Sequence, residues 1–454
     1  MAQELRRQLD EMRAQMAAQT QRMNEIQTRL TELEQKKTAV AAAPAAAADQ
    51  DLVLPEQTST YVNPATRSRQ TFANDPTAAA RVDNAPLDPK YPGFFRLPGT
   101  PTFLKIGGYF KTDVLYDAKP AGDTEKFIPS TIPLNQPGVN NTTVSIRPTR
   151  MNLDFRSPVK ALGDVRFYVE ADLFGSNSTT PRLRHVYTQA KNFLIGQTFS
   201  NFQDPDAGSD QLDFQGPNGQ VAIRNPQVRY TFKLRKTTSF AMAIEKASSD
   251  VAFKTPEFSA LPDSPYPDGT VKFLQETNGV HIQVAALFRS PSAYLLNGKS
   301  DTVFGWGVNV SGSQKVVGKD TFAYQAAYGA GMERYVNDTS GLGIDASIVS
   351  NEDRHLRALP VVATYFAYQH WWTPKVRSSA IYGFAQVNNT AFQPGATYHK
   401  SDYMAGNLIW NVFGSLNVGT EFLYGWVVKK DGSSANAPRF MFSAKYDLNL
   451  AKPQ

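Results

Sequence analysis

The stretch GSLNVGTEFLYGWVVK, residues 414–429, sorts its side chains by parity. Leu416, Val418, Thr420, Phe422, Tyr424 and Trp426 fall on one face of an extended chain, and Ser415, Asn417, Gly419, Glu421 and Gly425 on the other. The segment is longer than the usual strand of about 5 or 6 residues, and its aromatics crowd one end of the apolar face, as lipid-facing residues do where a bilayer meets water. A strand that crosses a bilayer needs about 9 to 11 residues with this alternation. DVRFYVEADLF repeats the pattern, setting Val165, Phe167, Val169, Ala171 and Leu173 against Arg166, Tyr168, Glu170 and Asp172. Such strands place charges inside a water-lined wall and oil outside it.

The rest of the composition narrows the class. No run of 18 or more apolar residues is present, so a membrane helix is excluded and only a closed barrel is left to span lipid. Aromatics make up 11% of the chain although its mean hydropathy is −0.39. The absence of cysteine fits a compartment that oxidises free thiols. A net charge of +6 over 454 residues, with no Lys/Arg run, argues against a nucleic-acid partner. The opening MAQELRRQLD has no apolar signal-peptide region, so an exported chain is expected to start here at or near its mature N-terminus.

In order, residues 1–37 carry a heptad seam. Leu9, Met16, Met23 and Leu30 occupy a positions, and Leu5, Met12, Gln19, Ile26 and Leu33 occupy d positions. A seam this narrow predicts a coiled-coil oligomerisation stalk rather than a helix packed on its own domain, with polar Gln19 setting register. An Ala/Pro-rich linker and the approach to the barrel follow over 38–102. Strands are expected over 103–117, 143–156, 164–174, 182–190, 193–200, 221–233, 238–247 and 270–275. They continue over 280–290, 302–315, 321–335, 360–372, 376–388, 402–412, 415–429 and 439–450, about sixteen in all, before a tail at 451–454. Connections alternate short and long: KN, LRKT, ETNG, VVGKD, TPK and VFG against 118–142, 201–220, 248–269, 291–301, 336–359 and 389–401. Short periplasmic turns and long external loops give a membrane barrel this asymmetry, and they put both barrel ends on the stalk side. PRLRHVYTQAK and PVVATYFAYQHWW do not alternate cleanly. The fold class expected is therefore all-β, an antiparallel transmembrane barrel of about sixteen strands with an N-terminal α-helical coiled coil.

The heptad start, the linker, the segment GFFRLPGTPTFLKIGGYFKTDVLYD and the pieces LIGQTFSNFQD and YGAGMERYVND resemble the DcaP-type outer-membrane porins. The resemblance covers essentially the whole chain. It implies a homotrimer in the outer membrane of a Gram-negative bacterium, a coiled coil in the periplasm, and passive uptake of small, often carboxylate-bearing anions. It implies no cofactor. One departure is the end, where FMFSAKYDLNL is followed by AKPQ instead of stopping on an aromatic residue. Peptidoglycan is a further partner that the linker leaves open.

Parity against the lipid face predicts that Lys105, Lys111, Arg150, Arg166, Arg224 and Arg229 point inward, with Arg182 and Arg184 on a strand of ambiguous parity. By resemblance to trimeric porins, 201–220 is the loop that folds inward, and it carries Asp204, Asp206, Asp210 and Asp213. Inward arginines and lysines would concentrate anions; alternatively they pair with Asp113, Asp154, Glu170 and Asp172 and only solvate the wall. Enzyme chemistry finds little support. His185, His281, His355, His370 and His399 show no metal-ligand spacing, no catalytic set is assigned, and DPDAGSDQLD lacks the spacing of a calcium loop. A structural barrel tethering the envelope, or an outer-membrane lipid hydrolase, are the alternatives to a diffusion channel.

Overall fold

The computed structural model describes residues 93–448 except 137, 177, 253, 256, 257, 296–299, 351 and 354. The expected stalk over 1–37, most of the linker over 38–102 and the tail over 451–454 lie outside these residues. Sixteen antiparallel strands form one closed wall. They are β1 (Phe103–Asp117), β2 (Asn141–Ser145 continued by Arg150–Val159), β3 (Gly163–Asp172), β4 (Arg182–Ala190), β5 (Phe193–Phe199), β6 (Arg224–Arg235), β7 (Thr238–Glu245) and β8 (Asp268–Thr277). The second half is β9 (Val280–Arg289), β10 (Gly305–Lys315), β11 (Thr321–Ala330), β12 (Pro360–Trp371), β13 (Val376–Val387), β14 (Tyr398–Phe413), β15 (Leu416–Lys429) and β16 (Ser434–Asp447). Each strand pairs with its sequence neighbours, and β16 closes on β1 in a register running from Tyr109↔Asp447 to Asp117↔Arg439. Closure leaves no edge whose amides would face lipid unpaired.

The parity of residues 414–429 holds in the wall. Phe422 and Trp426 are 42% and 40% exposed on the outer face, whereas Glu421 is 2% exposed on the inner one. Outward aromatics gather at both rims: Phe193, Phe232, Trp410, Phe413 and Tyr446 toward the short turns, Tyr116, Trp306, Tyr328 and Trp426 toward the long loops. The turn end has seven short connections, 160–162, 191–192, 236–237, 278–279, 316–320, 372–375 and 414–415. The loop end carries L1 (118–140), L2 (173–181), L3 (200–223), L4 (246–267), L5 (290–304), L6 (331–359), L7 (388–397) and L8 (430–433).

Three departures from the expected strands have physical causes. L8 is a tight hairpin, because β16 begins at Ser434 rather than at residue 439. Pro438 is tolerated there: its carbonyl accepts from Ala118 N–H at 3.3 Å on the β1 side, where β1 has already ended, so its missing N–H removes no ladder bond. β11 stops at Ala330, and GMERY turns inward as a single 3-10 turn, Glu333–Tyr335. The third concerns PVVATYFAYQHWW, which alternates after all. Val361, Ala363, Tyr365 and Ala367 face inward and are buried because loops press on that wall.

Those loops are L1, L3 and L6. Phe127 and Ile132 of L1, Phe202 and Leu212 of L3 and Tyr335 and Val336 of L6 pack against Leu287, Val361, Ile381, Ala385, Leu423 and Val427 of the inner wall. Contact is so close at Gly219 that a β-carbon there would lie 2.3 Å from the carbonyl oxygens of Thr364 and Phe384. The barrel seam is fixed by charge as well as by its ladder: Arg439 donates from Nε and Nη2 to Asp117 at 2.6 and 2.9 Å, with both side chains buried. Replacing Arg439 by Ala strands a buried carboxylate and should destabilise the closed barrel by about 3–5 kcal/mol. In a gel-shift assay of heat-modifiable barrels, the variant should unfold at a clearly lower temperature than a control substitution at exposed Lys319.

Candidate functional site in the barrel lumen

The inner faces of β1 to β6 carry a ladder of charge. Asp154 accepts from Arg166 Nε and Nη2 at 3.0 and 2.8 Å and from Arg156 at 3.3 and 3.2 Å. Lys105 stands opposite Asp154 in the register, half-buried, with its ammonium 6.0 Å from the Phe94 ring. Further toward the loops, Lys111 reaches Asp113 and the Leu212 carbonyl, each at 2.7 Å. Arg229 donates to Gln227 at 2.9 Å and to the Phe199 carbonyl at 2.6 Å.

The densest part lies where β2, β3 and β4 meet. Sequence parity is ambiguous on β4 because the strand is bulged: His185 pairs with Glu170 and Leu183 with Ala171, leaving Arg184 as the extra residue. The bulge turns both Arg184 and His185 inward, at 2% and 0% exposure. Arg184 donates to Glu170 and to Asp172, both at 2.9 Å, and Arg182 grips Asp172 at 3.0 and 2.7 Å. Arg150 is looser. Its Nη1 is 4.0 Å from Glu170, and its Nε is buried without a partner.

Arg224, half-buried at the head of β6, has no carboxylate within ion-pair distance among the described residues and packs over the Phe199 ring at 5.8 Å. It sits in the repulsive field of Arg184, Arg182 and Arg150. Four guanidiniums, Arg150, Arg182, Arg184 and Arg224, therefore share two carboxylates, Glu170 and Asp172, which leaves a local charge of 4 − 2 = +2.

L3 crosses to the opposite wall, and its aspartates are spent on anchoring. Asp204 meets His281 at 2.9 Å and Ser311 at 2.7 Å. Asp210 accepts from Arg377 and Gln369, both at 2.5 Å, and Asp213 from the N–H groups of Phe127 and Gly216 at 3.1 and 2.8 Å. Asp206 is buried in the 3-10 turn Pro205–Ala207, and its N–H caps onto Asp204 at 3.0 Å. Glu421 holds the Leu212 and Asp213 N–H groups at 2.9 and 2.8 Å. Only the loop's far shoulder returns to the arginines: Phe214 lies 5.2, 5.9 and 5.6 Å beneath Arg150, Arg182 and Arg184. Arg377 and Arg439 were not among the residues singled out from sequence, although the same parity rule applied to β13 and β16 points each inward; Glu421 was placed on the wet face of β15 but given no role.

A family model described as DcaP outer membrane protein matches residues 98–438. The chain belongs to the DcaP outer membrane protein family. Among solved structures, the outer membrane channel DcaP of Acinetobacter baumannii aligns with a TM-score of 0.68 and 24% identity, covering 78% of this chain and 99% of that one. The anion-selective porin from Comamonas acidovorans aligns at 0.50 and 9%, covering 76% and 100%. At these identities the likenesses speak for the fold. A search of curated protein sequences returns no match. Membership in the DcaP family makes the chain an outer-membrane barrel and not an enzyme.

Two loop carboxyls of this DcaP-family barrel titrate near neutrality. Burial lifts Asp213 to about 6 despite its backbone hydrogen bonds, and burial likewise lifts Asp338 of L6 to about 6 against donation from Ser401 and Ser130. A raised carboxyl binds protons better when folded, so its stabilising effect is present at low pH and lost as pH rises through about 6. Docking of L3 and L6 should tighten between pH 7.5 and 5. Hydrogen exchange of residues 201–220, corrected for intrinsic rate, should slow severalfold over that range, and Asp213→Asn should remove most of the change.

Proposed function

We propose that the chain is a passive diffusion channel for small hydrophilic solutes with a preference for carboxylate-bearing anions. The observation that carries this reading is the surplus of +2 around Arg150, Arg182, Arg184 and Arg224, with Arg224 lacking any acidic partner among the described residues. Guanidinium keeps its charge at any physiological pH and presents a fork of donors that matches a carboxylate. A charge pair about 4 Å apart gains about 1 kcal/mol in water and about 4 kcal/mol at an effective dielectric near 20, enough to favour anions severalfold without holding them. Selection by size falls to L3, which folds into the barrel beside this wall, and release follows from weak binding. The anion-selective porin of the same architecture agrees with the sign of the preference.

Reversal potential across a planar bilayer under a salt gradient tests it. The wild-type channel should favour chloride over potassium, less so at high salt. Arg224→Ser should move the potential toward cations and shorten block by a small dicarboxylate, whereas Arg166→Ser, which removes a charge already bound to Asp154, should do less. A potassium-selective wild type would overturn the reading. A plugged structural barrel is the second reading, favoured by the apolar packing of L1, L3 and L6 inside the wall; it predicts no unitary conductance at all.

Assembly belongs to the same proposal. The heptad seam from Leu5 to Leu33 joins chains already confined to one membrane plane, so a homotrimer gains from it through effective concentration. Deleting residues 1–37 should leave conducting trimers that dissociate at lower temperature in mild detergent. Recovery of monomers alone would make the stalk the builder of the trimer.

A further inference from the structure

At the root of L3 the fold gathers residues that are 77 positions apart in the chain. Asp204, Asp206 and His281 each bring one ligand atom within 4.8 Å of the others, and all three are buried. Nε2 of His281 lies 2.9 and 3.0 Å from the two oxygens of Asp204. Its Nδ1 faces Glu276 Oε1 at 3.3 Å, as in sites where a carboxylate orients a metal-bound imidazole from behind. The Pro205–Ala207 turn, capped by Asp204 on Asp206 N–H, presents the two aspartates from one fixed corner.

A second feature stands apart from the acids. Gln283 shares the inward face of β9 with His281 and lies opposite Ser311, the residue whose hydroxyl binds Asp204. It is 1% exposed, and its Nε2 has no acceptor. A buried donor needs an acceptor, and a hydroxide or other anionic oxygen carried on a metal ion would be one.

We propose that Asp204, Asp206 and His281 bind one divalent ion of the zinc class and thereby pin the root of L3 to β9. One imidazole nitrogen, two carboxylate oxygens and a water make an open tetrahedral set for zinc, whereas calcium and magnesium prefer oxygen alone. Bonds of about 2.0–2.2 Å set tetrahedral ligands about 3.3–3.5 Å apart, so His281 and Asp204 separate by a few tenths of an ångström while Asp206 closes in. Binding displaces the proton shared by His281 and Asp204 into solvent.

The test uses the full chain purified in detergent, stripped with a chelator and then titrated with Zn²⁺. One zinc per chain should survive gel filtration, with an X-ray absorption spectrum of one imidazole and oxygen ligands, and Ca²⁺ should not compete. Asp206→Asn, which leaves the His281–Asp204 hydrogen bonds in place and whose folding is checked by its heat-modifiable gel shift, should weaken zinc at least about tenfold; His281→Asn should abolish it. No stoichiometric zinc, equal binding of Ca²⁺, or an unchanged affinity in Asp206→Asn would each overturn the site and leave the trio a plain hydrogen-bonded tie.

Discussion

Every other feature of this molecule depends on one constraint: a backbone that crosses hydrocarbon has to satisfy all its N–H and C=O groups within the protein. With no helix among the described residues long and apolar enough to cross, the ladder must close on itself, and β16 returns to β1 to do so. Closure then fixes parity. Once one side of each strand faces lipid, the other side is committed to an interior that has to be filled with water, charge or loops. Here charge and loops share it, and their division decides what the barrel can do.

That division follows the identity of inward residues around the wall. From β9 to β15 many of them are small or apolar, such as Ala327, Ala363, Ile381 and Ala385, and L1, L3 and L6 bury their own apolar side chains there. Polar anchors hold the loop in place, among them Tyr365 to the Ala207 carbonyl at 2.6 Å and Asn407 to the Asp210 carbonyl at 2.8 Å. From β1 to β6 many inward residues are arginines, lysines and acids, with Leu115, Tyr168, Tyr187 and Leu194 packed among them. L3 is thus drawn toward the β9 to β15 wall by the hydrophobic effect, while Phe214 on its shoulder covers the arginines of the charged side.

Much of the wall was readable in advance because a period of two is a local property. Sixteen strands, their inward charges on β1 to β3 and the alternation of turns and loops follow from residue order alone. What was not readable depends on contacts between distant segments. The inward turn of both Arg184 and His185 comes from a bulge against β3, and nothing in RLRHVYT marks which residue is extra. β16 starts early because Pro438 falls where β1 has ended, a fact of register and not of composition. The inward apolar run of β12 looked like failed alternation until L3 and L6 were seen to cover it. Asp204 and His281 meet only because a loop folds back on a strand formed later, so the scattered histidines gave no sign of it. The loop aspartates were visible as a group, yet Asp204 is tied to β9 and β10, Asp210 to β12 and β13, and Asp213 to L1 and to L3 itself.

Pairing of most of the ladder does not count against the anion preference proposed above; it would make such a preference workable. Four bare guanidiniums this close would repel one another and collapse onto any acceptor, and burying them unpaired would cost several kcal/mol per charge. Glu170 and Asp172 cancel half of that charge and lock Arg182 and Arg184 in fixed rotamers, so no reorganisation is needed when a solute arrives. The uncancelled half remains on the two least bonded members, Arg150 with its free Nε and Arg224 with no acid. In the proposed reading a passing carboxylate would meet the half-buried Arg182 and Arg224, already in position, in only a modest net field. In that reading the balance would give fast entry and fast exit, which a tighter, fully unpaired site would forfeit.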